Sequence, residues 1–250
     1  NILKEAEDFL IVNKILNNKT NFNSYKIASN EDFELFLKEK EILKNLRNIC
    51  TNNNLDDERI LTYCQPILNL KTNEYLTAEI LMRMNLKNLG FVRPDEFIPL
   101  AEEFGYIHTL SLIILNKTCK QIKDLIDNNY NFTRVSINFS MLELKNSFFV
   151  EDIIKIIEKY QIPFDKIAIE LTESQNEQDF NIVKYKIDKL KEYGISFYLD
   201  DFGTGYSNAE RIVQLPIDVI KFDRSLVTSS CINEKSKIIV QNFVNAFKNI

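Results

Sequence analysis

Short apolar runs alternate with longer amphipathic segments along most of the chain. The apolar runs have the length and composition of buried strands, and we predict strands at Ile60–Ile67, Tyr75–Leu81, Arg134–Ile137, Lys166–Ile169, Ser196–Leu199 and Val219–Phe222. The segments between them repeat apolar residues at helical spacing, which predicts helices at Pro94–Glu103, Leu110–Asp127, Phe149–Tyr160, Asn181–Tyr193 and Asn208–Val213. This alternation predicts βαβ units, and so many strands favour an α/β fold of the TIM-barrel type over a doubly wound sheet.

The N-terminal region does not follow this alternation. A short helical pattern at Ala6–Ile15 is followed by a polar loop signal, and an amphipathic helix is predicted from Asp32 to Ile49. This helix either packs on the domain that follows or relays a signal from an upstream domain. We divide the chain into residues 1–30, a linker or the remnant of an upstream domain, residues 31–52, an amphipathic linker helix, and residues 53–250, the main domain.

Composition and charge exclude several classes of protein. Of the 250 residues 45% are hydrophobic, which is enough for a core, and the net charge of -5 is spread without the basic stripe that a nucleic-acid backbone requires. No apolar run approaches the roughly 18 residues of a membrane span, and the N-terminus lacks the layout of a signal peptide. We therefore expect a cytoplasmic segment that binds no nucleic-acid polymer. A membrane anchor elsewhere in the whole protein is compatible with this expectation.

Polar side chains end or interrupt several of the predicted strands. They are Glu79, Asn138, Glu170, Asp200 and Asp201, with Lys221 in the last apolar run. Because the carboxyl ends of barrel strands meet at one mouth, we expect these side chains to face one another. Several carboxylates in a partly desolvated mouth require a cation, and oxygen ligands without imidazole or thiolate favour Mg²⁺ or Mn²⁺. Taken singly, each is more often an ordinary polar strand end, so the prediction depends on their recurrence.

Three details refine this predicted metal site. Asp200 and Asp201 cannot point the same way from an extended strand, so we expect the second where the strand gives way to a loop, and the pair can serve two metals or one metal and a water. The segment Phe202–Ser207 contains two glycines and either approaches a phosphate or forms a tight turn. Beside an activated water, Lys221 would orient that water, stabilise developing hydroxide or accept its proton.

The ordered sequence blocks resemble those of the EAL phosphodiesterase family. The resemblance extends from about Leu43 to Ile250 and rests on Gln65-Pro66-Ile67, Glu79-Ile80-Leu81-x-Arg83, Val135-Ser136-Ile137-Asn138, Glu170-Leu171-Thr172-Glu173, Asp200-Asp201-Phe202-Gly203-Thr204-Gly205 and Ile220-Lys221-Phe222-Asp223. It implies a modified TIM barrel with one antiparallel strand, and an enzyme that uses Mg²⁺ or Mn²⁺ to hydrolyse cyclic di-GMP to linear pGpG.

The resemblance also implies a role for each matching residue. A first metal would be held by Glu79, Asn138, Glu170 and Asp200, and a second by Asp201, while Lys221 would act on the attacking water. Gln65 and Arg83 match positions that contact the dinucleotide. The elements that shape the metal site and a dimer contact are matched by Glu173, Phe202, Gly203, Thr204 and Gly205.

The sequence departs from the family pattern at two places. Ile80 stands where the family has alanine, a packing change behind the metal site that we expect to be tolerated. The chain stops after the amphipathic pattern Lys237–Phe247, before the last two strands and one catalytic acid of the family, so we expect an incomplete barrel. Near the N-terminus, Ala6, Leu10 and Lys14 have the spacing of the helix that closes a GGDEF domain. An upstream GGDEF or sensor domain and a second copy of the chain are therefore predicted partners.

Three functions stay open on the sequence alone. The first is an active cyclic di-GMP phosphodiesterase, the second a catalytically inactive cyclic di-GMP receptor that signals through the helix at residues 32–49, and the third an interaction module that binds neither metal nor nucleotide. The presence of Lys221 together with the five upstream metal-site residues favours the enzyme, because a receptor needs no group that acts on water.

Overall fold

The computed structural model describes residues 29–172, 180–203 and 214–248. Its helices are α1 (Asn30–Asn52), α2 (Pro94–Glu103), α3 (Ile107–Asp127), α4 (Phe149–Tyr160), α5 (Phe180–Glu192), α6 (Arg224–Ile232) and α7 (Glu234–Phe247), with short 3₁₀ turns at Glu143–Lys145 and Phe164–Lys166. Its strands are β1 (Ile60–Asn69), β2 (Glu74–Leu86), β3 (Gly90–Val92), β4 (Arg134–Phe139), β5 (Ile167–Thr172), β6 (Ser196–Phe202) and β7 (Val219–Phe222). The predicted strands are all confirmed. The predicted helices Ala6–Ile15 and Asn208–Val213 lie outside the described residues, and the others are confirmed.

An antiparallel hairpin leads into a parallel array within one seven-stranded sheet. β1 pairs antiparallel with β2, and β2, β4, β5, β6 and β7 follow side by side with parallel pairing. The short strand β3 pairs antiparallel with the far end of β2. In the described part of the chain β1 and β7 are the two edges, so the sheet is open. This strand order agrees with a TIM-type barrel that begins with an antiparallel strand, of which the described residues form an open part.

Two elements were missed by the hydrophobic pattern. The strand β3 is too short to give a periodic signal, yet it supplies a pairing partner for the last residues of β2, which for this reason extends to Leu86 and not only to Leu81. The helix α6 begins where the Asp223 carboxylate accepts a hydrogen bond from the Ser225 N–H at 2.8 Å. Aspartate is a preferred residue at this capping position, so the signal for α6 was available in the sequence.

The strand β2 shows how the sheet separates its two faces. Ile80, Met84 and Leu86 are buried in the main hydrophobic core. The alternate positions Glu79 and Arg83 point to the opposite face, because successive side chains of a strand point to opposite sides. Ile80, which replaces the family's alanine, is therefore a core residue directly behind the face that carries Glu79.

The helix α1 packs on this core. Its buried residues Ile42, Leu46 and Ile49 belong to the same cluster as the sheet residues. Its first turn is closed by a capping box, in which the Ser29 hydroxyl accepts from the Asp32 N–H at 3.2 Å and the Asp32 carboxylate accepts from the Ser29 N–H at 2.9 Å. The packing interpretation of this helix is confirmed, and its signalling role stays a prediction.

None of the described helices combines the length and the apolar character needed to cross a bilayer.

Candidate active site

Five of the predicted site residues come from five strands of the sheet. They are Glu79 on β2, Asn138 on β4, Glu170 on β5, Asp200 on β6 and Lys221 on β7. Asn138 lies level with Glu170 in the parallel pairing, and the Asn138 amide donates a hydrogen bond to the Glu79 carboxylate at 2.8 Å. Carboxylate oxygens of Glu79, Glu170 and Asp200 all lie within 4.8 Å of one another. We call these three carboxylates the acidic cluster.

The ammonium of Lys221 lies against all three carboxylates of the acidic cluster. Its Nζ atom is 2.9 Å from Glu79 Oε2, 2.5 Å from Glu170 Oε2 and 3.2 Å from Asp200 Oδ1. Burial by itself disfavours the charged form of this lysine, but the bonds to Glu170 and Glu79 outweigh burial and raise the pKa of Lys221 above its ordinary value. The lysine is therefore a cation held by the acids.

Glu170 is the most deeply buried member of the acidic cluster. Its side chain is 0% exposed, and burial raises its pKa above the usual range although the Lys221 ammonium opposes this shift. Its Oε2 atom accepts from Lys221, whereas its Oε1 atom has no hydrogen-bond partner among the described residues. Buried carboxylate oxygens are nearly always satisfied, so Oε1, with the Ser136 side chain as its neighbour, is a candidate ligand atom.

Asp200 and Asp201 are separated by a break in the regular strand. The pairing of β6 with β7 shifts between Leu199 and Phe202, and Asp201 adopts a left-handed backbone conformation with φ of 56°. Such an irregularity redirects the side chain, so two consecutive acids can approach one site. Asp201 is therefore still a residue of β6, at an irregularity in the pairing, and does not yet lie in the loop expected after the strand.

Burial first, and then the neighbouring charges of Asp200 and Asp223, raise the pKa of Asp201. Asp223 belongs to the Ile220-Lys221-Phe222-Asp223 block, and the sequence assigns it no role of its own. Its place two residues after Lys221, on the same side of the fold as Asp201, adds a further acid near the cluster. In the structure its carboxylate caps α6.

The two residues predicted to contact a nucleotide lie on the hairpin beside the acidic cluster. Gln65 is the direct partner of Glu79 across β1 and β2, so both side chains point to the same face. Arg83 lies four residues further along β2, where its Nη1 atom donates to the Met82 carbonyl oxygen at 2.8 Å. Both residues therefore share the face of the site, with Gln65 level with the acids and Arg83 beyond them.

Only part of the predicted loop after β6 can be described. Phe202 is buried against Phe222, Phe243 and Phe247. Gly203 has φ of 106°, and a β-carbon there would lie 2.5 Å from Leu226 Cδ2. The backbone conformation therefore favours glycine, and a methyl group at this position would displace the Leu226 side chain. Glu173, Thr204 and Gly205 lie outside the described residues.

The donor set of this site fits a hard divalent cation. All available ligand atoms are carboxylate or amide oxygens, which Mg²⁺ and Mn²⁺ prefer. Four acids, Glu79, Glu170, Asp200 and Asp201, are gathered near one described ammonium group, so negative charge is in excess. The unpartnered Oε1 atom of Glu170 provides a ligand position that Lys221 does not fill. The acidic cluster can therefore hold a metal ion.

An α/β sheet that gathers carboxylates from three strands on one face defines a barrel-type protein with a candidate metal site. The family model of the EAL domain matches residues 46–250. The chain belongs to the EAL domain family.

Relatives and solved structures with the same domain agree with this assignment. Cyclic di-GMP phosphodiesterase PA2567 of Pseudomonas aeruginosa is 33% identical over 177 residues, which is 71% of this chain and 30% of that protein. The chain thus spans less than a third of this relative. The structure of the EAL enzyme Bd1971 with bound cAMP and cyclic di-GMP matches with a TM-score of 0.72 and 28% identity over 84% of this chain and 56% of that one.

A second solved structure supports the fold alone. The PaMucR phosphodiesterase in complex with c-di-GMP has a TM-score of 0.73 and 23% identity, and the match covers 84% of this chain and 83% of that one. The α/β fold of the TIM-barrel type, in an incomplete form, is thereby confirmed.

Proposed function

We propose that the chain hydrolyses cyclic di-GMP to linear pGpG with Mg²⁺ or Mn²⁺ at the acidic cluster. The observation that carries this proposal is the convergence of Glu79, Glu170 and Asp200 with Lys221 from four strands of the sheet. The name of the Pseudomonas relative, a cyclic di-GMP phosphodiesterase, supports the choice of substrate.

The residues of the site divide into two groups of ligands. Glu79, Asn138, Glu170 and Asp200 would hold a first metal, and Asp201 would help to hold a second. Bound divalent ions supply Lewis-acid stabilisation of phosphate charge and lower the pKa of water. In the reaction a water oxygen attacks one phosphorus in line, and the bond from that phosphorus to a ribose 3′ oxygen breaks.

The remaining residues position the reactants. Lys221 donates hydrogen bonds to Glu79 and Glu170, and in this place it holds both carboxylates and orients a neighbouring water by donation. Gln65 and Arg83 would bind the dinucleotide on the face that they share with Glu79. Glu173 and the loop of Phe202, Gly203, Thr204 and Gly205 would shape the metal site and a contact between two copies.

The decisive experiment is a chromatographic assay of cyclic di-GMP incubated with the chain. We expect linear pGpG with Mn²⁺ or Mg²⁺, no product with EDTA, and retained but uncut nucleotide with Ca²⁺. Product that forms equally well with EDTA would refute the metal-dependent mechanism. Absence of product together with retained nucleotide in all three metals would instead identify a receptor.

A catalytically inactive cyclic di-GMP receptor is the second candidate. One observation favours it: the Lys221 ammonium neutralises part of the negative charge of the acidic cluster. A metal ion is therefore not needed to balance all of that charge. Calorimetric titration with Mn²⁺ separates the candidates. The enzyme binds the ion and Glu170→Gln weakens this binding, whereas a metal-free receptor binds nucleotide equally well with and without the ion.

The cellular setting belongs to the same proposal. We assign the reaction to the cytoplasm, with residues 1–30 and 31–52 as connections to an upstream sensor or GGDEF domain and residues 53–250 as the EAL domain. Dimerisation would bring a second copy against the loop after β6.

A further inference from the structure

Two exposed aromatic rings lie beside the acidic cluster on the hairpin strands. Tyr63 on β1 is 49% exposed and Phe91 on β3 is 50% exposed, and their ring centroids are 5.8 Å apart in a nearly perpendicular arrangement. The Arg83 guanidinium carbon lies 5.7 Å from the centroid of the Tyr63 ring. We call Tyr63, Arg83 and Phe91 the aromatic shelf.

The aromatic shelf and the acidic cluster share one face of the sheet. Gln65 is paired with Glu79, and Tyr63, two residues from Gln65, therefore points to the same side as Glu79. Arg83 is on this side because it is four residues from Glu79. Phe91 is the direct partner of Asn85, and Asn85 lies on the same face of β2 as Glu79 and Arg83.

The distance between the acidic cluster and the aromatic shelf matches the length of one nucleoside. Tyr63 is two residues beyond the level of Glu79, or about 7 Å along the strand at the rise of an antiparallel pair. The Phe91 ring lies against Tyr63 and extends the shelf away from the acids. A phosphate at the acidic cluster would therefore place the base, one ribose away, at the aromatic shelf.

The shelf contributes little to the stability of the fold. Neither Tyr63 nor Phe91 packs in the hydrophobic core, which at this point of the sheet is formed by Met84 and Val92 on the opposite face. Large rings that remain half exposed next to a ligand site are suited to stacking, because every base offers a flat face to an aromatic side chain. Arg83 is fixed by its bond to the Met82 carbonyl and keeps its cation near the Tyr63 ring.

On the basis of the proposed function, we infer that the aromatic shelf stacks one guanine base of cyclic di-GMP while the phosphate next to that base lies at the acidic cluster. Tyr63 provides the stacking ring nearest the acids and Phe91 supports it from the side. The shelf thus contributes to nucleotide affinity.

The absence of tryptophan from the sequence gives a direct test. In Tyr63→Trp the only indole lies on the shelf, and we expect saturable quenching of its fluorescence when cyclic di-GMP is added with Ca²⁺. The matched control is Tyr130→Trp. Tyr130 is 66% exposed and precedes β4, at the end of the parallel strands opposite the site, so its indole should not respond.

Affinity measured by equilibrium dialysis completes the test. Tyr63→Ala should weaken cyclic di-GMP binding by roughly 5- to 100-fold, the range found when one base-stacking ring is removed, and Phe91→Ala by less. Tyr63→Phe should bind as the unaltered chain does, because phenylalanine keeps the ring that stacks. Tyr130→Ala should have no effect.

The outcomes separate this inference from the proposed function. Nucleotide that is retained in dialysis, without quenching of Trp at position 63 and without loss of affinity in Tyr63→Ala, would overturn the shelf and leave the phosphodiesterase intact. No retention of nucleotide by the unaltered chain would overturn the proposed function and the shelf with it. If an unrelated protein, and not the nucleotide, quenched the fluorescence of Trp at position 63 and bound more weakly to Tyr63→Ala, the shelf would be a docking surface. That result would overturn the inference.

Discussion

The charge balance at the acidic cluster is set by single side chains. Glu79 accepts hydrogen bonds from both Asn138 and Lys221, so it connects the amide and the ammonium of the site. Glu170 is buried with one satisfied oxygen and one vacant oxygen. Removing a charge here alters ligand binding more than folding, since the like charges repel one another in the folded chain.

We predict that Glu79→Gln lowers the rate of pGpG formation by at least about 100-fold, because the amide keeps the size of the side chain but loses the charge that binds a metal. The rate is measured by chromatography, and the fold is checked by circular dichroism. Glu74→Gln, an exposed change at the first position of the same strand, should retain the full rate. An undiminished rate in Glu79→Gln would contradict the site assignment.

Gly203 combines a positive φ with a close neighbouring side chain, and both make a larger residue unfavourable there. Gly203→Ala should lower the free energy of unfolding by about 1–3 kcal/mol, because φ of 106° is strained for alanine and the new methyl group would meet Leu226. Urea denaturation measures the change. In the described part of the chain Gly90 also has a positive φ, 68°, with open space around its would-be β-carbon, so Gly90→Ala should cost less. Equal costs would show that the contact with Leu226 is unimportant.

Among the elements, α1 packs on the main core, and its contribution to stability distinguishes an integral helix from a separable linker. Leu46 is 0% exposed and packs in the main core, whereas Leu35 on the same helix is 53% exposed. We predict that Leu46→Ala costs about 2–5 kcal/mol in the free energy of unfolding and that Leu35→Ala costs less than about 0.5 kcal/mol. A small effect of Leu46→Ala in urea denaturation would mean that α1 is a separable linker.

A cluster of three charged side chains, His108, Glu143 and Asp152, connects α3, α4 and the turn after β4. His108 lies 3.1 Å from Asp152 and 3.4 Å from Glu143, and the Glu143 carboxylate accepts from the Ser140 N–H at 2.8 Å. Burial opposes the charge of His108, but the two acids outweigh burial and raise its pKa. Tertiary packing of α4 and the turn covers His108, whose side chain is 16% exposed.

The contacts of His108 with its two acids predict that the stability of the fold depends on pH. A histidine with a raised pKa in the folded state stabilises the fold fully below the unfolded value of about 6.5 and loses that contribution as the pH rises through the folded value. Burial raises the pKa of Glu143 as well, so its ionisation acts in the same direction. Urea denaturation should show lower stability at pH 9 than at pH 6, and His108→Gln should flatten this slope. A slope unchanged by the substitution would exclude His108 as its source.

Removal of one partner should be costly. His108→Ala leaves a buried carboxylate without its cation and is expected to cost about 2–4 kcal/mol in the free energy of unfolding. Adding Glu143→Gln to this variant removes the buried charge and should restore part of the loss. No rescue in the double variant would mean that packing, and not charge, is responsible.

At the scale of the whole molecule, the site exists only in the folded sheet, because its ligands come from separate strands. A metal that binds the folded chain alone stabilises it by about 2.7 kcal/mol at a concentration 100 times its dissociation constant. For a domain of this size that corresponds to a rise of roughly 5–10 °C in Tm. We predict this rise for Mn²⁺ relative to EDTA and its loss in Glu170→Gln. An equal rise in Tm for the unaltered chain and for Glu170→Gln would mean that Mn²⁺ binds away from the acidic cluster.

The sequence by itself determined the order and type of most elements, because alternation between short apolar runs and helical periodicity depends only on neighbouring residues. It also determined which strand ends carry acids, and the blocks around them identified the family. It missed β3, whose three residues are held by pairing with β2 and not by their own pattern. The start of α6 could have been predicted from the cap at Asp223.

Only the tertiary structure decided which of these residues touch. The Lys221 contact with Glu79 joins residues that are 142 positions apart, and its distance depends on strand order and register, which local periodicity does not specify. The same holds for the aromatic shelf, where β1, β2 and β3 bring Tyr63, Arg83 and Phe91 to one face. The physical reason is that backbone pairing sets the level of each side chain along the sheet, and a shift of one residue would move every group of the site to the other face.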